Sequence, residues 1–197
     1  MRICLIRHGE TDWNNEKRIQ GREDIPLNDA GIKQINESAK YLKKFDWKAI
    51  ITSPLARAKM SAQIISKEIQ LNNIYEEIDF IERDYGDASG KTIEETKVLF
   101  PDGIWVGSES SESLKNRTVN ALNKYIKMFE GNDIIIVSHG GVINSILSFL
   151  NINEVEIGKT TLRNGSLTLL KKISDKLEIL FFNKLGDELI GAVTTPN

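Results

Sequence analysis

Cysteine occurs once in 197 residues, as Cys4, histidine twice and proline four times. A single cysteine excludes an internal disulfide and fits a reducing compartment. Cys4 stands inside an apolar run, where a thiol behaves as a small buried hydrophobe rather than a reactive group. The two histidines, His8 and His139, are far apart in the chain. They lack the tight ligand pairs of zinc motifs, so no metal site is expected. No apolar run approaches the roughly 18 residues of a membrane span. A charged motif arrives at Arg7 before a signal-peptide core can form. A cytoplasmic location with no membrane partner is therefore expected. The net charge of −2 supplies no basic field, which removes nucleic acid from the expected partners. Repeats, low-complexity tracts and linker-like stretches are also missing. We expect one domain over residues 1–197, with a loose tail from about 190.

What is present is a series of short apolar runs that stop at polar groups. Ile3-Cys4-Leu5-Ile6 reads as a buried strand ending at Arg7-His8-Gly9. Gly9 is read as a turn residue, and residues 11–24 as a polar loop containing Gly21. Asn28 is the expected N-cap of a helix whose buried face carries Ile32, Ile35, Ala39 and Leu42. Ala49-Ile50-Ile51 is a second strand. Ser53-Pro54 reads as the cap and first position of the next helix, with Arg57 in its first turn. Residues 78–81 read as a third strand, followed at once by Glu82. Thr92 and Glu95 form the expected capping box of a short helix. A long helix is expected over 111–129 and another over 142–150. Between them Ile134-Ile135-Ile136-Val137 suits a central strand buried on both faces, ending at Ser138-His139-Gly140-Gly141. Residues 167–171 and 177–182 read as a terminal hairpin. Strands alternating with helices predict an α/β fold, a three-layer α/β/α sandwich with a mostly parallel mixed sheet.

If these strands run parallel, Arg7-His8, Ser53 to Arg57, Glu82 and Ser138-His139 share one edge. Ligands of open α/β sheets bind at the carboxyl ends of the strands. Two guanidinium groups, two imidazoles, one carboxyl and glycine-freed amides suit a tetrahedral oxyanion, above all a phosphate. Arg57 in a helix's first turn faces the positive end of the dipole, which an anion would offset. An imidazole among cations stays neutral and nucleophilic.

The motifs resemble those of the histidine phosphatase superfamily, the phosphoglycerate-mutase-like family. They are Arg7-His8-Gly9-Glu10-Thr11 with Trp13-Asn14, Gln20-Gly21, Pro26-Leu27 with Gly31, and Thr52-Ser53-Pro54-Leu55-Ala56-Arg57-Ala58. Glu82-Arg83-Asp84-Tyr85-Gly86 and Ser138-His139-Gly140-Gly141 complete the set in the family's order. The resemblance implies a phosphoglycerate-mutase-like fold and a metal-independent phosphatase acting on a small phosphorylated metabolite. It implies that His8 becomes a phosphohistidine and that Glu82 is the general acid and base. Arg7, Arg57 and His139 would hold the phosphoryl oxygens, Asn14 and Gly140 would add donors, and Gln20 and Gly21 would line the substrate loop.

The family leaves alternatives. A cofactor-dependent phosphoglycerate mutase would need 2,3-bisphosphoglycerate; otherwise no cofactor is expected. Mutases carry an added segment after the catalytic glutamate, and only residues 87–90 precede the Thr92 helix here. Ala88-Ser89-Gly90 also replaces the Trp-Glu-Gly run common in family phosphatases. An inactive phospholigand-binding module would lack one of the five charged or imidazole residues, and all are present. Glu10 is read as orienting its loop, Arg83 as a surface ion pair in preference to a substrate-side contact, and Glu109 and Glu112 as parts of a solvated loop and helix start. Trp13 and Trp105 wall a pocket or pack in the core. A monomer or homodimer is expected.

Overall fold

The computed structural model describes residues 1–150 and 161–191. Its centre is a six-stranded sheet in the order β3-β2-β4-β1-β5-β6. Strands β1 (Arg2–Arg7), β2 (Trp47–Thr52), β3 (Ile74–Glu76) and β4 (Asp133–Ser138) are parallel. Strands β5 (Leu167–Ile173) and β6 (Lys176–Lys184) form the expected hairpin, and β5 runs antiparallel to β1.

Alternation along the strands sends side chains to two cores. Ile3, Leu5, Ile51, Ile134 and Ile136 meet one set of helices, α5 (Ser111–Met128) and α6 (Gly140–Phe149). Cys4, Ile6, Ile50, Ile135 and Val137 meet α2 (Asp29–Leu42) and α3 (Ala56–Ile69) on the other face. The four β-branched residues of β4 are thus buried on both faces, as a central parallel strand requires. Two packed faces make this a three-layer α/β/α sandwich. Among the described residues no helix is long and apolar enough to cross a membrane.

Local chemistry sets the helix starts. Asn28 caps α2 by accepting from the Gly31 N–H at 2.9 Å. Thr92 and Glu95 form the capping box of α4 (Ile93–Leu99). Four expectations need correction. Residues 11–24 are not all loop, because Thr11 and Asn14 close a capping box around a single turn, α1 (Asp12–Asn15). Ser53 does not cap α3. The N-cap is Leu55, without a side-chain bond of its own, and the Ala56 N–H is taken by Asp24 Oδ1 at 2.6 Å. Residues 78–81 are not a strand. Glu77 Oε1 accepts the Asp79 N–H at 3.2 Å and folds Ile78–Phe80 into a 3-10 turn, which leaves Ile78 63% exposed. The edge strand lies earlier, at β3. Gly9 is needed for close approach rather than for a turn with positive φ: a Cβ there would enter the Gly31 backbone. The tail from residue 192 lies outside the described residues.

The β1–β4 register pairs Arg7 with Ser138, and the β2–β4 register pairs Thr52 with Val137. The three strands therefore stop together and deliver Arg7-His8, Ser53 and His139 to one edge. The last helix, α7 (Gly186–Gly191), packs on α2. At the other end of α2, a Cβ on Gly31 would strike the Glu10 carbonyl. Gly31→Ala should thus destabilise the protein by about 1–3 kcal/mol despite alanine's higher helix propensity, through the strain of overpacking. A chemical-denaturation midpoint measures this; an unchanged or raised midpoint would contradict the contact.

Candidate active site

Among the described residues, eighteen line a cleft of about 390 Å³ above the parallel strand ends, and Arg7, His8, Asn14, Arg57, Glu82 and Gly140 are among them. His8 is 3% exposed. Its Nδ1 stands 2.7 Å from the Gly9 carbonyl, and its own N–H donates to Ser138 O at 3.0 Å. A carbonyl only accepts, so we assign the ring proton to Nδ1. Nε2 keeps its lone pair. Burial, then Arg57 and Arg7, hold the imidazole well below its ordinary 6.5, opposed by the Gly9 bond.

His139 is fully buried, and its ring centroid lies 5.1 Å from that of His8. Ser53 Oγ accepts from the Leu55 N–H at 3.3 Å and stands 2.7 Å from His139 Nε2. We assign the serine proton to Nε2, which puts the ring hydrogen on Nδ1. This partnership is the role Ser53 takes once Asp24 caps α3. Burial and the charge of Arg57 lead the effects that hold His139 far below its ordinary value too.

Arg57 is 1% exposed, although it is a cation in the first turn of a helix. Nη1 donates to Glu23 O at 2.6 Å and Nη2 to Gly21 O at 2.8 Å. Burial lowers its pKa to about 10, so it remains charged at neutral pH. Arg7 donates through Nη1 to Leu162 O. Three buried nitrogens, Arg7 Nε, Arg57 Nε and His139 Nδ1, have no hydrogen-bond partner among the described residues. Leaving such donors unmade is costly, and an oxyanion would satisfy them together.

Glu82 is 8% exposed. Its carboxylate accepts from the Arg83 N–H at 2.8 Å and from the Gly141 N–H at 3.1 Å. A Cβ on Gly141 would lie 2.5 Å from Glu82 Oε1, whereas one on Gly140 would meet only Arg7 Nε at 3.8 Å. The steric need for glycine thus falls on Gly141. Asn14 Oδ1 accepts from the Thr11 N–H, the Thr11 hydroxyl and Asn164 Nδ2 at 3.0–3.2 Å. Its own amide hydrogens are left for the cleft. Gln20 and Gly21 line the cleft, and Gln20 Oε1 is buried with no hydrogen-bond partner among the described residues. Among the described residues no three His, Cys, Asp or Glu side chains gather to hold a metal ion.

Some assignments shift. Arg83 lines the cleft and donates to Glu109 O at 2.8 Å, so it is not a simple surface ion pair. Glu109 is not solvated; its side chain is 8% exposed and pairs with Arg117 at 2.7 Å. Trp105 joins the cleft wall, edge-on to Tyr85, while Trp13 packs over Gly90. Glu10 accepts from Asn28 Nδ2 at 3.1 Å, in keeping with a loop-orienting role. Sequence reading missed Asn164, which donates to the His8, Gly9 and Asn14 oxygens. The Asn164-Gly165 pair ahead of β5 was its only local signal.

Two buried neutral imidazoles have a consequence for stability. Below 6.5 the unfolded chain binds their protons and the folded chain does not. Stability is therefore full above that value and falls as pH drops toward the folded pKa values, by up to about 1.4 kcal/mol per pH unit for each ring. His8→Gln should roughly halve the slope between about pH 5 and 6.5. Denaturation midpoints across that window check this; a flat wild-type profile would contradict neutral burial.

Comparison with known proteins agrees with this geometry. The model of the histidine phosphatase superfamily (branch 1) matches residues 3–185. The chain is 40% identical over 181 residues to the uncharacterized phosphatase PhoE of Bacillus subtilis (strain 168), covering 92% of this chain and 93% of that one. It is 35% identical over 165 residues to a metal-independent phosphoserine phosphatase of Arabidopsis thaliana, covering 77% of this chain and 68% of the relative. A crystal structure of Entamoeba histolytica phosphoserine phosphatase in complex with 3-phosphoglyceric acid superposes with a TM-score of 0.77 at 30% identity, covering 93% and 96% of the two chains. With strand ends, motif residues and relatives in agreement over nearly its whole length, the chain belongs to the histidine phosphatase superfamily, branch 1.

Proposed function

We propose that the protein is a metal-independent phosphatase that hydrolyses small phosphomonoesters in two steps through a phosphohistidine on His8. The observation that carries this reading is the 2.7 Å contact between His8 Nδ1 and the Gly9 carbonyl. With the ring proton assigned to Nδ1, Nε2 is left as a neutral nucleophile in a site with three nitrogens that have no partner among the described residues.

In the first step the Nε2 lone pair attacks phosphorus. The bond from phosphorus to the ester oxygen breaks, and the Glu82 carboxyl gives its proton to the departing alcohol. Positive charge arises on the imidazole as the P–N bond forms. The Gly9 carbonyl already faces Nδ1–H and stabilises that charge. Arg7, Arg57 and His139 Nδ1 bind the three phosphoryl oxygens, with Asn14 and Gly140 N–H as further donors. Fixed cations thus supply the charge stabilisation and positioning that phosphoryl transfer needs. In the second step Glu82, now a carboxylate, takes a proton from water. The water oxygen attacks phosphorus, the P–N bond breaks, and inorganic phosphate leaves with His8 neutral again.

The relatives named as phosphatases support hydrolysis of small phosphorylated metabolites, and one of those names supports independence from metal; other relatives are named as probable phosphoglycerate mutases, the alternative reading. Against a mutase, the connection from Glu82 to α4 is short, a 3-10 turn at Gly86–Ala88 and then Thr92. A short connection gives water access to the phosphohistidine, which favours hydrolysis over phosphoryl return.

Brief incubation with a labelled phosphoester should trap an acid-labile, base-stable phosphoprotein, and His8→Ala should abolish it. Label that persists in His8→Ala would remove the nucleophile assignment. Glu82→Gln should slow alkyl phosphates by ~10²-fold or more and activated aryl phosphates far less. Equal slowing of both esters would count against a leaving-group acid. Turnover should be unchanged by a chelator, and phosphate release should dominate with or without 2,3-bisphosphoglycerate. Loss with the chelator, or cofactor-dependent isomerisation of phosphoglycerate, would replace this reading.

A further inference from the structure

Glu82 follows a 3-10 turn, beyond the last residue of β3, so no strand ladder fixes its backbone. A general acid must nonetheless sit within hydrogen-bond reach of the leaving oxygen. The missing restraint comes from outside the cleft. Arg117, on α5, has a side chain only 14% exposed. Its Nη1 donates to Asp79 O at 2.6 Å and to Ile81 O at 2.7 Å, and its Nη2 donates to Glu82 O at 3.2 Å. Nε and Nη2 also donate to the two oxygens of Glu109, at 2.7 and 2.8 Å. A guanidinium has five N–H donors. All five are spent here, three on the turn that leads into Glu82, so Arg117 has none left for a ligand.

Glu109 extends the restraint. Its N–H donates to Asp84 O at 2.9 Å, and its carbonyl accepts from Arg83 Nε at 2.8 Å. Arg22 reaches Glu82 O at 3.4 Å and Glu109 Oε2 at 3.6 Å. Arg22 stands between Gly21 and Glu23, the residues whose carbonyls hold Arg57. One buried carboxylate therefore ties the backbone of the acid to the loop behind the phosphate-side arginine.

We infer that Arg117, fixed by Glu109, is a positioning residue for Glu82: it holds the acid's main chain so that the carboxyl meets the leaving oxygen. The inference rests on the proposed role of Glu82. A lysine would keep the charge but not the planar five-donor fork, so it does not substitute.

The test compares kcat/KM, which reports formation of the phosphohistidine, for an alkyl phosphate and for p-nitrophenyl phosphate. The variants are Arg117→Lys and the paired Arg117→Met/Glu109→Gln, which leaves no unpaired buried charge. Both should slow the alkyl ester by ~10²-fold, the scale of a misplaced catalytic group, and the activated ester little. Introduced into Glu82→Gln, they should cost nothing further, because groups that act as one unit are not additive. Equal losses on both esters, no loss on either, or full loss in the Glu82→Gln background would overturn the inference. If Glu82→Gln alone slows both esters alike, the acid assignment itself fails. If only the Arg117 variants do so, the acid stands and the positioning role falls.

Discussion

The rest of the structure depends on two buried guanidinium groups held by carbonyls rather than carboxylates. Arg57 is gripped by Gly21 O and Glu23 O, and Arg7 by Leu162 O. A carbonyl orients a cation without cancelling its charge, whereas a paired carboxylate would do both. Glu82 is the acid that bears most on both groups, and it is occupied by backbone N–H donors. The cleft is therefore electron-poor by construction. Burial first, and then that poverty, keep His8 and His139 neutral, and neutrality is what makes one ring a nucleophile and the other a donor.

Such a cluster repels itself and needs a rigid frame. The frame is the common end of three parallel strands, set by a register in which Arg7 and Ser138 are level. Glycine permits close contacts in that frame, with Gly9 against Gly31 and Gly141 against Glu82. Buried polar bonds do the rest: Ser138 Oγ donates to Phe80 O at 2.8 Å and so ties β4 to the turn before Glu82.

Much of this was legible in the chain because it is local. The run Ile134 to Val137 announces a doubly buried strand, and Asn28 and Thr92 announce helix starts by their own side chains. The motif residues were legible through resemblance; Arg7, His8, Asn14, Gln20, Gly21, Arg57, Glu82 and Gly140 line the cleft, and His139 is buried beside His8. What stayed hidden are partnerships between distant residues. Asp24 caps a helix that begins 32 residues later, so Ser53, locally the better cap, is left for His139. Glu77 turns an apparent strand into a 3-10 turn with one side-chain bond. Glu109 reads as part of a solvated loop, and its partner Arg117 carries no signal, because nothing in their neighbourhood along the chain says that their side chains are buried.

The carbonyl-held arginines have a consequence at longer range. The protein carries a net charge of −2, so at a distance it repels a phosphate dianion weakly. Near the cleft the sign reverses, because the two guanidinium charges are not neutralised where they sit. Low-dielectric walls focus such a field outward through the mouth of the cleft. Capture of substrate is thus a local attraction set in a mildly anionic surface. Within a Debye length of about 8 Å at physiological salt the attraction survives, and beyond it the ions of the medium erase it. The encounter rate is then governed by ionic strength, while the chemistry behind it is not.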